Sequence, residues 1–437
     1  MEMNQKRITI DKKDGIYLLL FAISLINGVV CTAFFVLLLL YSINEIEKGL
    51  KSLILISTRE ILSPVIASST GNAVIKMGVI LLISILILIR SKGKTGNRMK
   101  NLLLPIITFL FYLVLSTFIT SDYPITSLFK IISFGIPFLA VLIGVSATSN
   151  EYKWADYLTV LFTVLMIASV ITIPFNSFRI INSDFQGVFN HVNMFGIIGA
   201  LYVPLLLYSS VFDRKEGLRN LILIATLIMV FLSKSRTGMF SAVAVIICYL
   251  ILYNKKKSPG LVLLVVFIVI AALVSLLLNG PIASMLSNFI YKGNTDDLLA
   301  SRMKQIYIAQ QKFESNKILG SGFMVPQNPQ GTISYTLSFG LVVEPGNIIW
   351  ALAGDTGIIG IILFSVMLIQ MIMIGGWRKL FLFLSVLLVN MGEMVLFSSN
   401  NMAMLCYMLL GIYMFDNNVL AKGDQNQNES QLYYSRF

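Results

Sequence analysis

The segment NIIWALAGDTGIIGIILFSVMLIQMIMI, residues 347–374, indicates a membrane-spanning helix, because it is long, apolar and interrupted by a single charged residue, Asp355. Its length exceeds the roughly 20 residues that a helix needs to cross a bilayer. Similar stretches recur throughout the 437-residue chain, in which 57% of the residues are hydrophobic and 12% are charged. One soluble core cannot bury that much apolar surface, and the stretches lack the alternation of barrel strands. The sequence therefore predicts an all-α, polytopic integral membrane protein.

About twelve transmembrane helices are predicted, with one long external loop between the ninth and the tenth. The predicted spans are residues 16–41, 73–89, 102–120, 127–147, 157–174, 192–211, 221–232, 238–253, 261–278, 347–374, 380–397 and 402–415. The segment 53–67 contains Arg59, Glu60 and Pro64, and we expect it to be an interfacial or re-entrant segment outside the membrane.

The chain is accordingly divided into four parts. Residues 1–278 carry the first nine helices, residues 279–346 form the external loop, residues 347–415 carry the last three helices, and residues 416–437 form a tail. The tail includes GDQNQNESQ and is expected to be disordered, because it has too few apolar residues to fold.

The positions of Lys and Arg predict the orientation. Basic clusters lie near the N-terminus and in the connections 90–100, 214–219, 255–257 and 378–379, which places all of these on the cytoplasmic side. Both termini are then cytoplasmic, and the first apolar stretch is a retained signal anchor, since it is too long for a cleavable signal. Topology explains the net charge of +12, so no nucleic-acid partner is expected. The predicted location is a bacterial cytoplasmic (inner) membrane.

The external loop is predicted to contain an amphipathic helix lying over the bilayer surface. Two acidic residues precede apolar residues at helical spacing, and two glycines follow: Asp296 and Asp297, then Leu299, Met303, Ile306 and Phe313, then Gly320 and Gly322.

Four cations lie at the predicted external helix ends or in the loop: Arg179, Lys234, Arg236 and Arg302. Guanidinium groups grip phosphate oxygens through planar donor pairs and can neutralise a diphosphate leaving group. These residues are therefore candidates for substrate binding. The alternative for each is a cation that only anchors a helix at the membrane interface.

Glu344 and His191 are the candidate catalytic residues. Glu344, in VVEPGN, precedes the tenth span and could act as a general base, or it could be a solvated surface residue. His191, in GVFNHVNMFG, could be a base or could simply bond to the backbone. Asp355 and Glu393 lie within predicted spans, and we expect helix-packing hydrogen bonds for both rather than proton sites.

No cofactor or metal is predicted. A single histidine cannot complete a zinc site, and the chain has no nucleotide-binding signature and no external DxD motif. An external active site would then need a donor activated by a lipid.

Four segments carry a family resemblance: GVFNHVNMFG, FLSKSRTGMFSAV, SRMKQIYIAQQKFESNKILGSGF and GNIIWALAGDTGIIGIILF. Their order and spacing, across roughly residues 187–364, resemble the O-antigen ligase and Wzy-type O-antigen or capsule polymerase superfamily. The resemblance implies that Arg236 and Arg302 contact a lipid diphosphate. It also places Asn347, which leads the fourth segment, among the substrate-binding residues.

The resemblance implies a polymerase of polyprenyl-diphosphate-linked oligosaccharide repeat units. Ligases of the superfamily have a catalytic histidine directly before this asparagine, whereas this chain has Gly346. The base is then Glu344, His191 or the substrate itself. The implied partners are the lipid-linked oligosaccharide, membrane lipids, and flippase and chain-length regulator proteins. An O-antigen-type ligase and a flippase of the same lipid-linked units are the alternatives.

Overall fold

The computed structural model describes residues 12–67, 71–175, 179–180, 184–252, 303–325, 346–398 and 402–416. The helices in these ranges are α1 (Lys12–Ile23), α2 (Gly28–Ser42), α3 (Ile46–Glu60), α4 (Ala73–Arg90), α5 (Asn97–Thr120), α6 (Pro124–Thr148), α7 (Trp154–Ile171), α8 (Val192–Tyr208), α9 (Glu216–Leu232), α10 (Arg236–Leu252), α11 (Met303–Ser315), α12 (Ile348–Gly375), α13 (Leu380–Gly392) and α14 (Ala403–Phe415). A 3-10 turn, Trp377–Lys379, joins α12 to α13. Two short antiparallel strands, β1 (Arg179–Ile180) and β2 (Asp184–Phe185), precede α8.

The all-α membrane fold is confirmed. Helices α4, α5, α6, α7 and α12 are long and apolar enough to cross a membrane, and α2, α8, α10 and α14 are shorter apolar helices. The predicted spans from 73–89 to 238–253, and the last three, each coincide with one helix, although the helix in 380–397 ends at Gly392. The predicted span 261–278 and the tail 417–437 lie outside the described residues, so the count of twelve spans stays a prediction.

The N-terminal part differs from the prediction. The expected single span 16–41 is broken into α1 and α2, because Asn27 leaves the helix and caps α2 by accepting a hydrogen bond from the Val30 amide at 2.9 Å. The segment expected outside the membrane belongs largely to α3, which is buried along most of its length. Hydropathy alone did not predict that this segment is buried, because its charged side chains are paired inside the bundle. The Lys76 ammonium of α4 lies 2.6 Å from the Glu60 carboxylate.

The contacts also fix the directions of these helices. The Arg59 guanidinium donates to the carbonyl of Ser24, so the end of α3 lies beside the end of α1. At the other end of the bundle, Arg90 donates to the carbonyl of Asn44 at 2.6 Å, which joins the end of α4 to the turn between α2 and α3. Helices α1, α2 and α3 therefore alternate in direction, where the sequence predicted one span followed by an external segment. The orientation of the later spans stays a prediction.

Helix α12 is interrupted at Gly357, whose φ of 62° is outside the helical region. The chain that follows α11 fills the break: the Ile358 amide donates to the Lys317 carbonyl at 2.9 Å, and the Ser321 amide donates to the Gly354 carbonyl at 3.0 Å. Interrupted backbone at membrane depth is tolerated only when such partners replace the helical ones. Two of the motifs quoted above, the glycine pair after the loop helix and the acidic-x-glycine of α12, therefore pack directly against each other.

The predicted loop helix is present as α11, although it ends at Ser315, before the glycines. Its position differs from the expected one. Ala309 and Lys312 are buried against α12, while Tyr307 is exposed. Packing against α12 therefore holds this helix in addition to any contact with lipid. Asp296, Asp297 and Leu299 lie outside the described residues.

Candidate functional site

Glycines bring α8, α10 and α13 unusually close together at one end of the bundle. A Cβ atom on Gly238 of α10 would lie 2.5 Å from the carbonyl oxygen of Gly196 in α8. The Thr237 side chain of α10 likewise occupies the space that a side chain at Gly392, the last residue of α13, would need. Small residues allow helix backbones to approach in this way. Arg236, next to Thr237, is thereby held at the start of α10 beside both neighbouring helices.

Asn347 ties the start of α12 to the same place. Its side-chain oxygen accepts hydrogen bonds from the amides of Ile349 at 2.9 Å and Trp350 at 3.3 Å, and so caps the helix. Its side-chain nitrogen donates to the carbonyl of Met391, near the end of α13, at 2.8 Å. The amide of Asn347 is thus engaged with backbone groups on two helices, which gives this residue a positioning role. Its predicted contact with substrate stays a prediction.

His191 caps α8. Its Nδ1 accepts a hydrogen bond from the Asn193 amide at 3.1 Å, and its ring is exposed. A neutral imidazole that accepts at Nδ1 carries its proton on Nε2, so Nε2 is the ring atom that can donate a hydrogen bond. The geometry suits contact with an oxygen of a ligand better than proton abstraction. The Asn193 side chain in turn donates to Glu393 at 2.9 Å, as expected for a packing contact of that carboxylate.

Lys234 forms an ion pair that the sequence did not indicate. Its ammonium group lies 2.6 Å from Asp184 in β2, and its side chain is 46% exposed. Its φ of 51° marks the sharp turn between α9 and α10. The pair joins the strand segment to the start of α10. Arg179 is held in the same segment, where its backbone is opposite Phe185 in the two-stranded sheet.

A second charged cluster lies beside His191 and was not predicted as part of the site. The Asn190 side chain donates to the carbonyl of Glu60 at 3.4 Å, and the Glu60 carboxylate is paired with Lys76. Both side chains are about nine-tenths buried, with exposures of 9% and 10%. The sequence contained a signal, because a lysine within an apolar span and a carboxylate in the preceding segment are both costly unless they pair.

The described part of the site is therefore the end of the bundle at which α8, α10 and α12 begin. It brings together His191, Arg236 and Asn347, with Lys234 and the backbone of Arg179 in the adjoining turn and strand. Glu344 and Arg302 lie outside the described residues, so their roles stay predictions. The first turn of each helix carries a partial positive charge, although His191 and Asn347 already accept the amides of Asn193, Ile349 and Trp350. With Arg236, and with Lys234 in its pair with Asp184, this end of the bundle attracts an anion such as a phosphate group.

Metal ligands do not cluster in the portion of the chain that the structure covers: no group of three His, Cys, Asp or Glu residues there could hold an ion. The site that can be built from the described residues contains cations, helix-end amides, one exposed imidazole and the paired carboxylates of Asp184 and Glu393.

Comparison with protein families matches a segment that includes part of this site. Residues 221–365 match the family model described as O-antigen ligase. The resemblance to the O-antigen ligase and Wzy-type superfamily is confirmed. Members of this family are membrane enzymes that transfer glycans. The matched segment of the O-antigen ligase family includes Arg236, α11, Asn347 and the break in α12, whereas His191 and Arg179 lie before it. Comparison with curated proteins found no match.

Proposed function

We propose that the protein is a polymerase that joins polyprenyl-diphosphate-linked oligosaccharide repeat units into an O-antigen, capsular or exopolysaccharide chain. The site is at the outer face of the cytoplasmic membrane. The observation that carries the proposal is that the starts of α8, α10 and α12 all meet the end of α13, next to Arg236 in the sequence of α10. This end of the bundle offers fixed positive charge to a diphosphate while the apolar helices accommodate its lipid.

The proposed reaction needs positioning and charge stabilisation. A hydroxyl of one lipid-linked unit attacks the anomeric carbon of another, and the bond from that carbon to the diphosphate oxygen breaks. The electron pair leaves with the diphosphate, where Arg236 and Arg302 stabilise the charge as it develops. The hydroxyl proton passes to Glu344 or to the substrate itself, because the Nδ1 of His191 already accepts the Asn193 amide. Attack opposite the leaving group inverts the anomeric carbon. No metal takes part in the proposed step, since the guanidinium groups compensate the charge.

Gly346 supports a polymerase over a ligase. It stands where ligases of the superfamily carry the catalytic histidine, and its φ is 69°. A residue with a side chain is strained in this left-handed conformation, whereas glycine adopts it readily. The backbone before Asn347 is thus shaped for glycine, and the ligase chemistry has no histidine at that place.

The experiment replaces Arg236 and Arg302, each with alanine and with lysine, in the native host. Membrane levels are measured by blot, and surface and lipid-linked glycans are separated on a gel. Arg214→Ala is the matched control, because Arg214 is an exposed cation in the α8–α9 connection at the opposite end of the bundle.

We expect the alanine variants to give single repeat units at normal protein abundance, and the control to give full-length chains. Lysine at either position should restore little chain extension, because its ammonium group lacks the paired donors of the arginine guanidinium. Full-length chains in both alanine variants would show that the two arginines do not form the site. Single units that accumulate on the cytoplasmic side would favour the flippase alternative.

A further inference from the structure

Lys312 of α11 and Asp355 of α12 form a buried ion pair, with side-chain exposures of 5% and 7%. The Lys312 ammonium also donates to the carbonyl of Val325 at 2.8 Å. The Asp355 carboxylate also accepts from the Met324 amide at 2.9 Å. Each charge is therefore surrounded by partners from the other element or from the segment between them. A buried pair with this many bonds joins α11 to α12 at one defined position.

The contacts on either side of the pair fix the direction of α11. The Ala309 carbonyl oxygen lies so close to Gly354 that a Cβ there would be 2.9 Å away. Further along both segments, the carbonyls of Lys317 and Ile318 accept hydrogen bonds from the amides of Ile358 and Ile359, at 2.9 and 3.4 Å. Residue numbers rise together along the two elements, so the chain runs in the same direction in both.

This direction relates α11 to the candidate site. Met303 precedes Ala309 by six residues, and Ile348 precedes Gly354 by six residues. At about 1.5 Å per residue, each helix start lies roughly 9 Å from the contact, on the same side of it. The first residue of α11 is thus directed toward the end of the bundle where Asn347 caps α12.

We propose that Lys312 and Asp355 are positioning residues for glycan transfer, because their ion pair fixes the register of α11 on α12. Arg302 directly precedes Met303, the first residue of α11, in the sequence. By holding α11 in place, the Lys312–Asp355 pair therefore determines the position of that arginine relative to the site. Neither Lys312 nor Asp355 contacts substrate in this account. The inference rests on the proposed function for the role of Arg302, whereas the register itself does not depend on it.

The register is tested by cysteine labelling in the full-length protein, with Cys31, Cys248 and Cys406 first replaced by serine or alanine. Ala309→Cys reports on the buried face of α11, since Ala309 is 3% exposed, and Tyr307→Cys is the exposed control, at 58%. A membrane-impermeant maleimide should label Tyr307→Cys and leave Ala309→Cys unmodified. Adding Lys312→Met should raise labelling of Ala309→Cys to the level of the control. Unchanged protection in that variant would overturn the proposal.

The functional role is tested by combining substitutions. Lys312→Met/Asp355→Asn removes both charges, so no unpaired charge is left buried, and we expect near-normal membrane abundance with loss of chain extension. Full-length chains from Lys312→Met/Asp355→Asn at normal membrane abundance would contradict the proposal.

These results separate the two claims. If Arg302→Ala leaves chains at full length, the proposed role of that arginine fails, while the labelling experiment still decides the register. If labelling shows no register change but Arg302→Ala abolishes extension, the proposed function stands and the positioning role of Lys312 and Asp355 is wrong.

Discussion

Replacing Gly238 with alanine tests the close approach that holds Arg236 in the site. The added methyl group would lie 2.5 Å from the Gly196 carbonyl oxygen and 2.6 Å from its carbonyl carbon, whereas ordinary contacts lie at 3.4–4 Å. The obstructing atoms are backbone, so α8 and α10 must separate by about 1 Å. Overpacking of this kind costs roughly 1–3 kcal/mol, against a gain of about 1 kcal/mol in helix propensity. We expect a net loss of up to about 2 kcal/mol in the free energy of unfolding.

The effect on activity should exceed the effect on stability. A displacement of about 1 Å in a positioning element can lower a rate on the order of 100-fold. Gly78→Ala is the matched control, because Gly78 also lies within a helix and nothing lies within 4 Å of a Cβ built on it. Gly238→Ala should lower the midpoint of thermal unfolding in detergent and shorten the glycan chains on the gel, whereas Gly78→Ala should do neither. If the two variants behave alike in both measurements, the described approach of α8 and α10 is wrong.

Three further predictions concern other parts of the described bundle. Tyr112→Phe removes the hydroxyl that donates to the Thr356 carbonyl at 2.7 Å in the break of α12, and should lower the free energy of unfolding by about 1 kcal/mol; an unchanged unfolding midpoint would contradict this. Lys76→Met leaves Glu60 buried without its cation and should cost about 3–5 kcal/mol, whereas Lys76→Met/Glu60→Gln should recover most of that loss; equal membrane abundance of the two variants would argue against the pair. Burial lowers the pKa of Lys379 to about 8. Between pH 8 and about 10.5 the unfolded chain therefore holds a proton that the folded protein has lost, so the free energy of unfolding should rise with pH across this window. Lys379→Met should flatten this rise, measured as the unfolding midpoint at each pH.

Most of the membrane helices could be predicted from the sequence because hydropathy is a local property. The segment around Glu60 could not, because α3 is acceptable inside the bundle only when Lys76 of another helix pairs with that carboxylate. The break at Gly357 is a similar case. Its polar groups are satisfied by Lys317 and Ser321, which precede the start of α12 by roughly thirty positions in the chain, and nothing local to the helix indicates this.

The candidate site was predicted in composition more than in arrangement. The sequence indicated His191, Arg236 and Asn347, and the structure gathers them at one end of the bundle. The sequence could not indicate that the Asn347 side chain caps α12 and also donates to the Met391 carbonyl, because the second contact joins two helices. Nor could it indicate the partner of Lys312, since an amphipathic pattern marks a buried face without naming what covers it.

Reconstitution in liposomes tests whether the protein polymerises lipid-linked repeat units. The purified protein is placed in liposomes that contain lipid-linked repeat units extracted from the native host, and the products are separated by length. We expect a ladder of lipid-linked products longer than one unit, formed without added nucleotide, together with release of polyprenyl diphosphate. Arg236→Ala should abolish both. Lipid-linked units that stay single in the presence of folded protein, or that move across the bilayer without lengthening, would show that the protein is not a polymerase.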